Sequence, residues 1–215
     1  MVDPKKLRAG TAAVLLWSGA CLLAMLSRWA NARPQDNKKT VIRRLTLVKQ
    51  PAEISVELNG QRVEATEAVR PEEGIRVEEF EADSNWLKNF RLKLSNKSGK
   101  VITYIVIDLT FPETATSENP RVGLHQIFLG IDPDHKFSRS ELRLTPNSSI
   151  KIPLAAGFND IKTLVESRRP IETITKVELD LHAALFDDGT LFEAGVMYHR
   201  DPNDSHKWIP NSLKP

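Results

Sequence analysis

Cysteine is almost absent from this 215-residue sequence, and its single position excludes several kinds of chemistry. The one cysteine, Cys21, lies in an apolar run near the N-terminus, so the rest of the chain can form no disulfide. A thiol nucleophile, a cysteine-ligated zinc ion and an iron–sulfur cluster are therefore excluded from residues 33–215. A chain of this length can bury an adequate hydrophobic core without disulfides.

The sequence also lacks an excess of charge of either sign. Its formal net charge is +2, and four basic residues against Asp3 in the first 32 positions leave the remainder close to −1. Domains that bind nucleic acid usually concentrate Lys and Arg on one face. The composition therefore predicts no nucleic-acid partner.

Familiar catalytic motifs are missing as well. The sequence contains no G-x-S-x-G elbow, no H-E-x-x-H pair and no glycine-rich phosphate loop. We therefore predict no catalytic residue, no cofactor and a protein that is not an enzyme.

The N-terminus has the layout of a signal peptide. A basic stretch in residues 1–10 precedes the apolar run 11–26, and Ala30-Asn31-Ala32 provides a small-x-small cleavage site. The run would span about 24 Å as a helix at about 1.5 Å per residue, which is less than the roughly 30 Å of a hydrocarbon core. We predict a signal peptide over residues 1–32.

Two alternatives remain open for this N-terminal segment. It could stay uncleaved as a membrane anchor through residues 11–26, or Cys21 could carry a lipid. The basic N-terminus would stay in the cytoplasm in an anchored form. We expect the body to be secreted, periplasmic or part of the cell envelope, and to contact membrane only through residues 11–26 if these are retained.

After a polar tether over residues 33–40, residues 41–215 show the period-2 alternation of strands. Asn59-Gly60 is a hairpin signal, and residues 41–82 could form a small N-terminal hairpin subdomain. Residues 101–111 are apolar at both parities, which indicates a strand covered on both faces and hence a second layer. The spacing between Phe158 and Val165 predicts one short helix, with Asn159 as its cap and Pro170 beyond its end.

These patterns predict a mainly β fold, an antiparallel β-sandwich with one short helix, preceded by the N-terminal signal or anchor helix. The turn at residues 96–100, the turn at residues 186–190 and the closing segment 200–210 resemble those of uncharacterised exported bacterial proteins with immunoglobulin-like domains. The resemblance covers residues 86–210, implies an immunoglobulin-like sandwich and carries no known activity.

Two sets of residues are candidate binding sites. Tyr198 and Trp208 could offer flat aromatic faces to a sugar or another ligand, although such residues usually pack in or beside a core. The second set is a candidate metal site and comprises His199, Asp201, Asn203 and His206. The oxygens of Asp201 and Asn203 stand at alternate positions, as the ligands of a calcium loop do. Its sixth position lacks the glycine of such loops, and a polar loop is the plainer interpretation.

A further acidic segment, Asp132-Pro133-Asp134-His135, could hold Ca²⁺ or a transition metal, and a solvated turn is again the plainer interpretation. Taken together, the sequence favours a non-catalytic module outside the cytoplasm that binds a protein partner or supports an envelope assembly. A carbohydrate- or small-ligand-binding module is the first alternative. A metal-dependent hydrolase that uses the second set is the other.

Overall fold

A computed structural model describes residues 39–45, 50–58, 61–62, 66–70, 75–82, 86–118, 120–132 and 140–211. The predicted signal or anchor segment, the tether up to Lys38, the Asn59-Gly60 turn, Asp134 and His135 lie outside these ranges. No helix in the described ranges is both long enough and apolar enough to span a bilayer.

The described strands form two sheets. Sheet A contains β1 (Lys39–Leu45), β4 (Thr66–Arg70), β5 (Ile75–Ala82), β7 (Ile102–Phe111), β8 (Gly123–Gly130), β10 (Lys176–Phe186), β11 (Leu191–Glu193), β12 (Val196–Asp201) and β13 (Asp204–Pro210). Sheet B contains β2 (Ala52–Leu58), β3 (Gln61–Arg62), β6 (Phe90–Asn96) and β9 (Ser149–Pro153). The segment 41–82, for which the sequence allows a separate subdomain, thus contributes strands to both sheets.

Strand β10 organises sheet A. Strand β7 pairs along one of its edges and is followed by β8. The other edge is divided, because β1 pairs with residues 176–179 and β11 with residues 183–185. The β1–β10 pair is parallel, whereas every other described pair is antiparallel. The prediction of antiparallel sheets is therefore confirmed, with this one parallel pair as an exception.

One hydrophobic core is shared by the two sheets. Alternate side chains of β2 and β6, such as Ile54 and Leu92, belong to the same buried cluster as Ile105 and Ile107 of β7 and Leu179 of β10. Side chains at the intervening positions face away from this core, on what we call the outer face of each sheet. The prediction of a mainly β body is confirmed.

The predicted helix is present as α2 (Phe158–Glu166), and it buries Ile161 and Val165. Its N-cap is Gly157 rather than Asn159, because the helix begins one residue before Asn159. The chain leaves helical geometry after Ser167, ahead of Pro170, as the sequence predicts. A single helical turn, α1 (Trp86–Asn89), precedes β6.

The C-terminal region departs from the sequence prediction. The period-2 alternation predicted over residues 41–215 does not hold as one strand after the 186–190 turn, because a turn at Ala194 and Gly195, whose φ angles are 46° and 88°, separates β11 from β12. Two successive positive φ angles fit the tight turns that join antiparallel strands. The segment expected as a polar loop, residues 199–206, forms instead the adjoining halves of the β12–β13 hairpin.

Candidate functional site

The outer face of sheet A carries a second apolar cluster, separate from the main core. Its buried members are Tyr104 and Val106 of β7, Ala183 of β10 and Leu191 of β11. Half-buried side chains of neighbouring strands pack against them: Phe128, Leu185, Tyr198 and Trp208. We call these eight residues the aromatic patch. The apolar residues at both parities of 101–111 thus face two distinct clusters, as the sequence predicts.

Tyr198 and Trp208 reach this patch from the last two strands. Tyr198 lies opposite Leu191 across the β11–β12 pair, and Trp208 lies opposite Arg200 across the β12–β13 pair. The Arg200 guanidinium stacks over the Trp208 ring at 4.5 Å from its centroid, within the range of cation–π contacts. The structure therefore brings together the two aromatic residues singled out in the sequence and adds an arginine to them.

A β-bulge places a histidine beside the patch. The pairing of β10 with β7 shifts between Leu181 and Ala183, so that His182 is the extra residue. Leu181 and Ala184 belong to the main core, whereas Ala183 belongs to the aromatic patch. A bulge of this kind leaves one residue unpaired and redirects side chains; here the His182 carbonyl accepts a hydrogen bond from the Ala194 N–H.

The His182 ring lies between two carboxylates. Its Nδ1 is 3.0 Å from Asp108 Oδ2, and its Nε2 is 3.7 Å from Glu193 Oε1. The Gln126 amide donates to Asp108 Oδ1 at 2.9 Å, which fixes that carboxylate across β8 and β7. Both ring nitrogens therefore face acidic oxygens, and within the described residues no hydroxyl bonds to either nitrogen.

The residues of the predicted metal site are engaged in other contacts. Asp201 Oδ1 accepts from the Asn203 N–H at 2.9 Å, and Lys207 Nζ lies 3.4 Å from Asp201 Oδ2. His199 Nδ1 is 2.6 Å from Asn211 Oδ1. In the part of the chain that the structure describes, no three His, Cys, Asp or Glu side chains form a group that could hold a metal ion. The metal site stays a prediction that this geometry does not support.

The sequence did not single out several residues of this region. Asp108 and Gln126 are cross-strand partners in β7 and β8, and Glu193 pairs with Ala183. Their proximity depends on strand register, which spacing along one strand does not reveal. Arg200 could have been noticed, because it stands two residues after Tyr198 and therefore shares its face.

Comparison of the chain with protein-family models, with curated protein sequences and with solved structures gives no match. The function is therefore argued from the geometry of the described residues.

Proposed function

We propose that this protein is a non-catalytic module, located outside the cytoplasm, that binds a protein partner through the aromatic patch. The observation that carries the proposal is the grouping of Tyr198, Trp208 and Arg200 on one sheet face, over the buried Tyr104. Tyrosine, tryptophan and arginine are the residues that most often dominate the binding energy of protein interfaces.

The surroundings of the patch support this interpretation. Val196, on the same strand parity as Tyr198, is a 39% exposed hydrophobic residue, and His182, Glu193 and Gln126 place polar groups beside the apolar centre. An apolar centre with a polar rim is the usual anatomy of an interface.

We also propose that the fold is an immunoglobulin-like sandwich. Two sheets around one core, without a cysteine in the described strands, are compatible with an immunoglobulin-like sandwich of the kind that the exported bacterial proteins resembling this sequence are expected to have. The signal-like N-terminus supports a position outside the cytoplasm.

Site-specific photo-crosslinking tests the partner proposal. A photoreactive residue at Val196 in the full chain, expressed in the native envelope, is expected to give one discrete protein adduct. The same residue at Lys162, on the exposed side of α2, is the control and should not give it. The adduct from position 196 should disappear in the Tyr198→Ala/Trp208→Ala variant, provided that its circular dichroism spectrum matches the wild type. An adduct that survives this double substitution would contradict the proposal.

A carbohydrate or small polar ligand is the second candidate. It is favoured by the polar groups of His182, Asp108 and Glu193 next to two aromatic rings, since sugars stack on rings while their hydroxyls bond to polar groups. Binding of a glycan that quenches tryptophan fluorescence, with the quenching lost in Trp208→Phe, would support it. A glycan screen without such quenching would exclude glycan binding at the patch and would favour binding of a protein partner.

A further inference from the structure

The outer face of sheet B is basic, although the chain as a whole is nearly neutral. Register places Arg62, Glu57 and Arg91 side by side across β3, β2 and β6. In the next row Ser55, Lys93 and Lys151 lie side by side across β2, β6 and β9. We call Arg62, Arg91, Lys93 and Lys151 the basic face.

Glu57 neutralises one of these cations. Lys151 Nζ lies 2.9 Å from Glu57 Oε2, and the Glu57 side chain is only 8% exposed. This contact is a charge pair rather than an aligned hydrogen bond, because Oε2 accepts no hydrogen bond from the described residues. In contrast, Arg62, Arg91 and Lys93 form no ion pair with any described residue, so the described part of this face carries more positive than negative charge. Lys97, in the turn after β6, pairs with Glu53 at 3.0 Å.

The outer face of sheet A differs, because its described residues carry charges of both signs. Asp108, Glu178 and Asp180 are outer residues of β7 and β10, and Glu193 of β11 lies beside His182. Lys176 of β10 and Arg200 of β12 add positive charge to the same face.

The basic face also lacks the features of a protein interface. The large hydrophobic residues that are exposed in the described ranges are Val122, Leu124, Ile131 and Val196, and all of them lie in or beside strands of sheet A. Protein interfaces need an apolar or aromatic centre, and binders of single-stranded nucleic acid need aromatic rings for stacking. The outer face of sheet B instead offers cations interleaved with the hydroxyls of Ser55, Ser95 and Ser149. This chemistry suits an extended array of phosphates.

We propose that the basic face lies against a membrane surface that is rich in anionic phospholipid headgroups. Each Lys or Arg close to such a surface contributes about 1 kcal/mol of attraction, which is roughly a fivefold change in partitioning. The proposal uses the proposed location outside the cytoplasm but not the partner-binding patch, so the two can fail separately.

Vesicle flotation of the full chain tests the proposal. The lipid concentration is set so that half of the protein molecules bind vesicles of phosphatidylcholine alone. This baseline is the same for every variant, because the apolar N-terminal segment is unchanged in all of them. Replacing one third of the lipid by phosphatidylglycerol is expected to increase partitioning. Arg91→Gln/Lys93→Gln should reduce partitioning into the anionic vesicles by about 25-fold, at roughly fivefold per cation, and it leaves the Lys151–Glu57 pair in place.

Two control variants make the result specific. Lys162→Gln/Lys207→Gln removes the same charge from other surfaces and should keep the increase, as should Arg91→Lys/Lys93→Arg, which preserves charge. An equal loss in Arg91→Gln/Lys93→Gln and in Lys162→Gln/Lys207→Gln would overturn the proposal, as would the absence of any increase with anionic lipid. Tighter binding to soluble polyglutamate or duplex DNA, with the same dependence on Arg91 and Lys93, would assign the face to a soluble polyanion and also overturn it.

Discussion

At the scale of single residues, the carboxylate of Asp188, in the turn between β10 and β11, has a clearly lowered pKa. The hydrogen bond and charge of Lys100, 2.7 Å away, together with the Thr190 hydroxyl, lower the pKa of Asp188 from 3.8 to about 2. Lys100 itself lies over the Phe186 ring and bonds to the Thr190 hydroxyl. This contact ties the turn at residues 186–190 to the turn at residues 96–100.

The sign of the resulting pH dependence follows from the lowered pKa. A carboxylate with a lowered folded-state pKa stabilises the fold above its unfolded value, and this stabilisation is lost as pH falls from 3.8 to about 2. Asp188 is 45% exposed, so solvent screening limits the contribution to about 1 kcal/mol or less. We expect Asp188→Asn to lower the free energy of unfolding by that amount near neutral pH and to match the wild type near pH 2.

Urea denaturation at a series of pH values checks this expectation. Asp187→Asn is the matched control, because Asp187 is the exposed neighbouring carboxylate in the same turn, and it should show no such pH-dependent difference. A deficit of Asp188→Asn that persists undiminished near pH 2 would show that the turn geometry, and not the ionised carboxylate, is responsible.

The sequence predicted the position of turns at this scale but not their internal bonding. Asn96 is a buried residue whose amide donates to the carbonyls of Lys100 and Leu144, both at 2.8 Å, while its oxygen accepts from Ser98. The turn at residues 96–100 could be predicted from its composition. The bond to Leu144 could not, because it joins segments 48 positions apart.

At the scale of elements, period-2 alternation located β2, β6, β9 and most of β10, an apolar run located β7, and helical spacing located α2. It failed where a strand contains an extra residue. The sequence pattern assigned Ala183 and Leu185 to the same face as Leu181, but the bulge at His182 moves both onto the aromatic patch. The parallel β1–β10 pair was missed because parallel pairing leaves no local turn between the two strands.

The bulge leads to a testable prediction about deletions. Leu181 and Ala184 face the core and Ala183 faces the aromatic patch. Deleting His182 would leave these three residues in regular alternation, so the pairing register of β10 with β7 should be preserved. Deleting Asp180 would instead turn Leu181 outward and His182 into the core. We expect the Asp180 deletion to cost about 2–5 kcal/mol, the range for losing a buried leucine, and the His182 deletion clearly less.

Thermal unfolding followed by near-ultraviolet circular dichroism would compare the two deletions directly. Each removes one polar residue from the same strand, so the effect on chain length is matched. Equal destabilisation would mean that the bulge itself, through the hydrogen bond from the Ala194 N–H to the His182 carbonyl at 2.9 Å, is required for the β10–β11 connection.

At the scale of the whole molecule, the candidate surfaces emerge only when both sheets are assembled. Tyr198 and Trp208 were identifiable from the sequence, but Arg200, Asp108 and Glu193 join them through pairings between strands that are distant along the chain. The basic face was hidden in the same way, because Arg62, Arg91 and Lys151 come from three strands that are distant along the chain. The net charge of the chain does not show how its charges are distributed between faces.

The N-terminal boundary gives a whole-molecule prediction. Cleavage after Ala32 would leave residues 33–38 ahead of β1, so every described strand would remain. Strand β1 has a central place in sheet A: it pairs with β10 and β5, and Val41 is fully buried in the core. Within the described strands, β5 and β4 connect to the rest of sheet A only through β1.

Two truncated chains test this boundary. The chain 33–215 should unfold in one cooperative transition, with a melting temperature within a few degrees of the full chain. The chain 46–215 lacks β1, so β4 and β5 lose their attachment and the buried edge of β10 at residues 176–179 loses its partner. Unpaired buried backbone groups are costly, and we expect broad or absent thermal unfolding and rapid proteolysis. Cooperative melting of 46–215 at the temperature of 33–215 would show that sheet A does not depend on β1, and the body would then begin after residue 45.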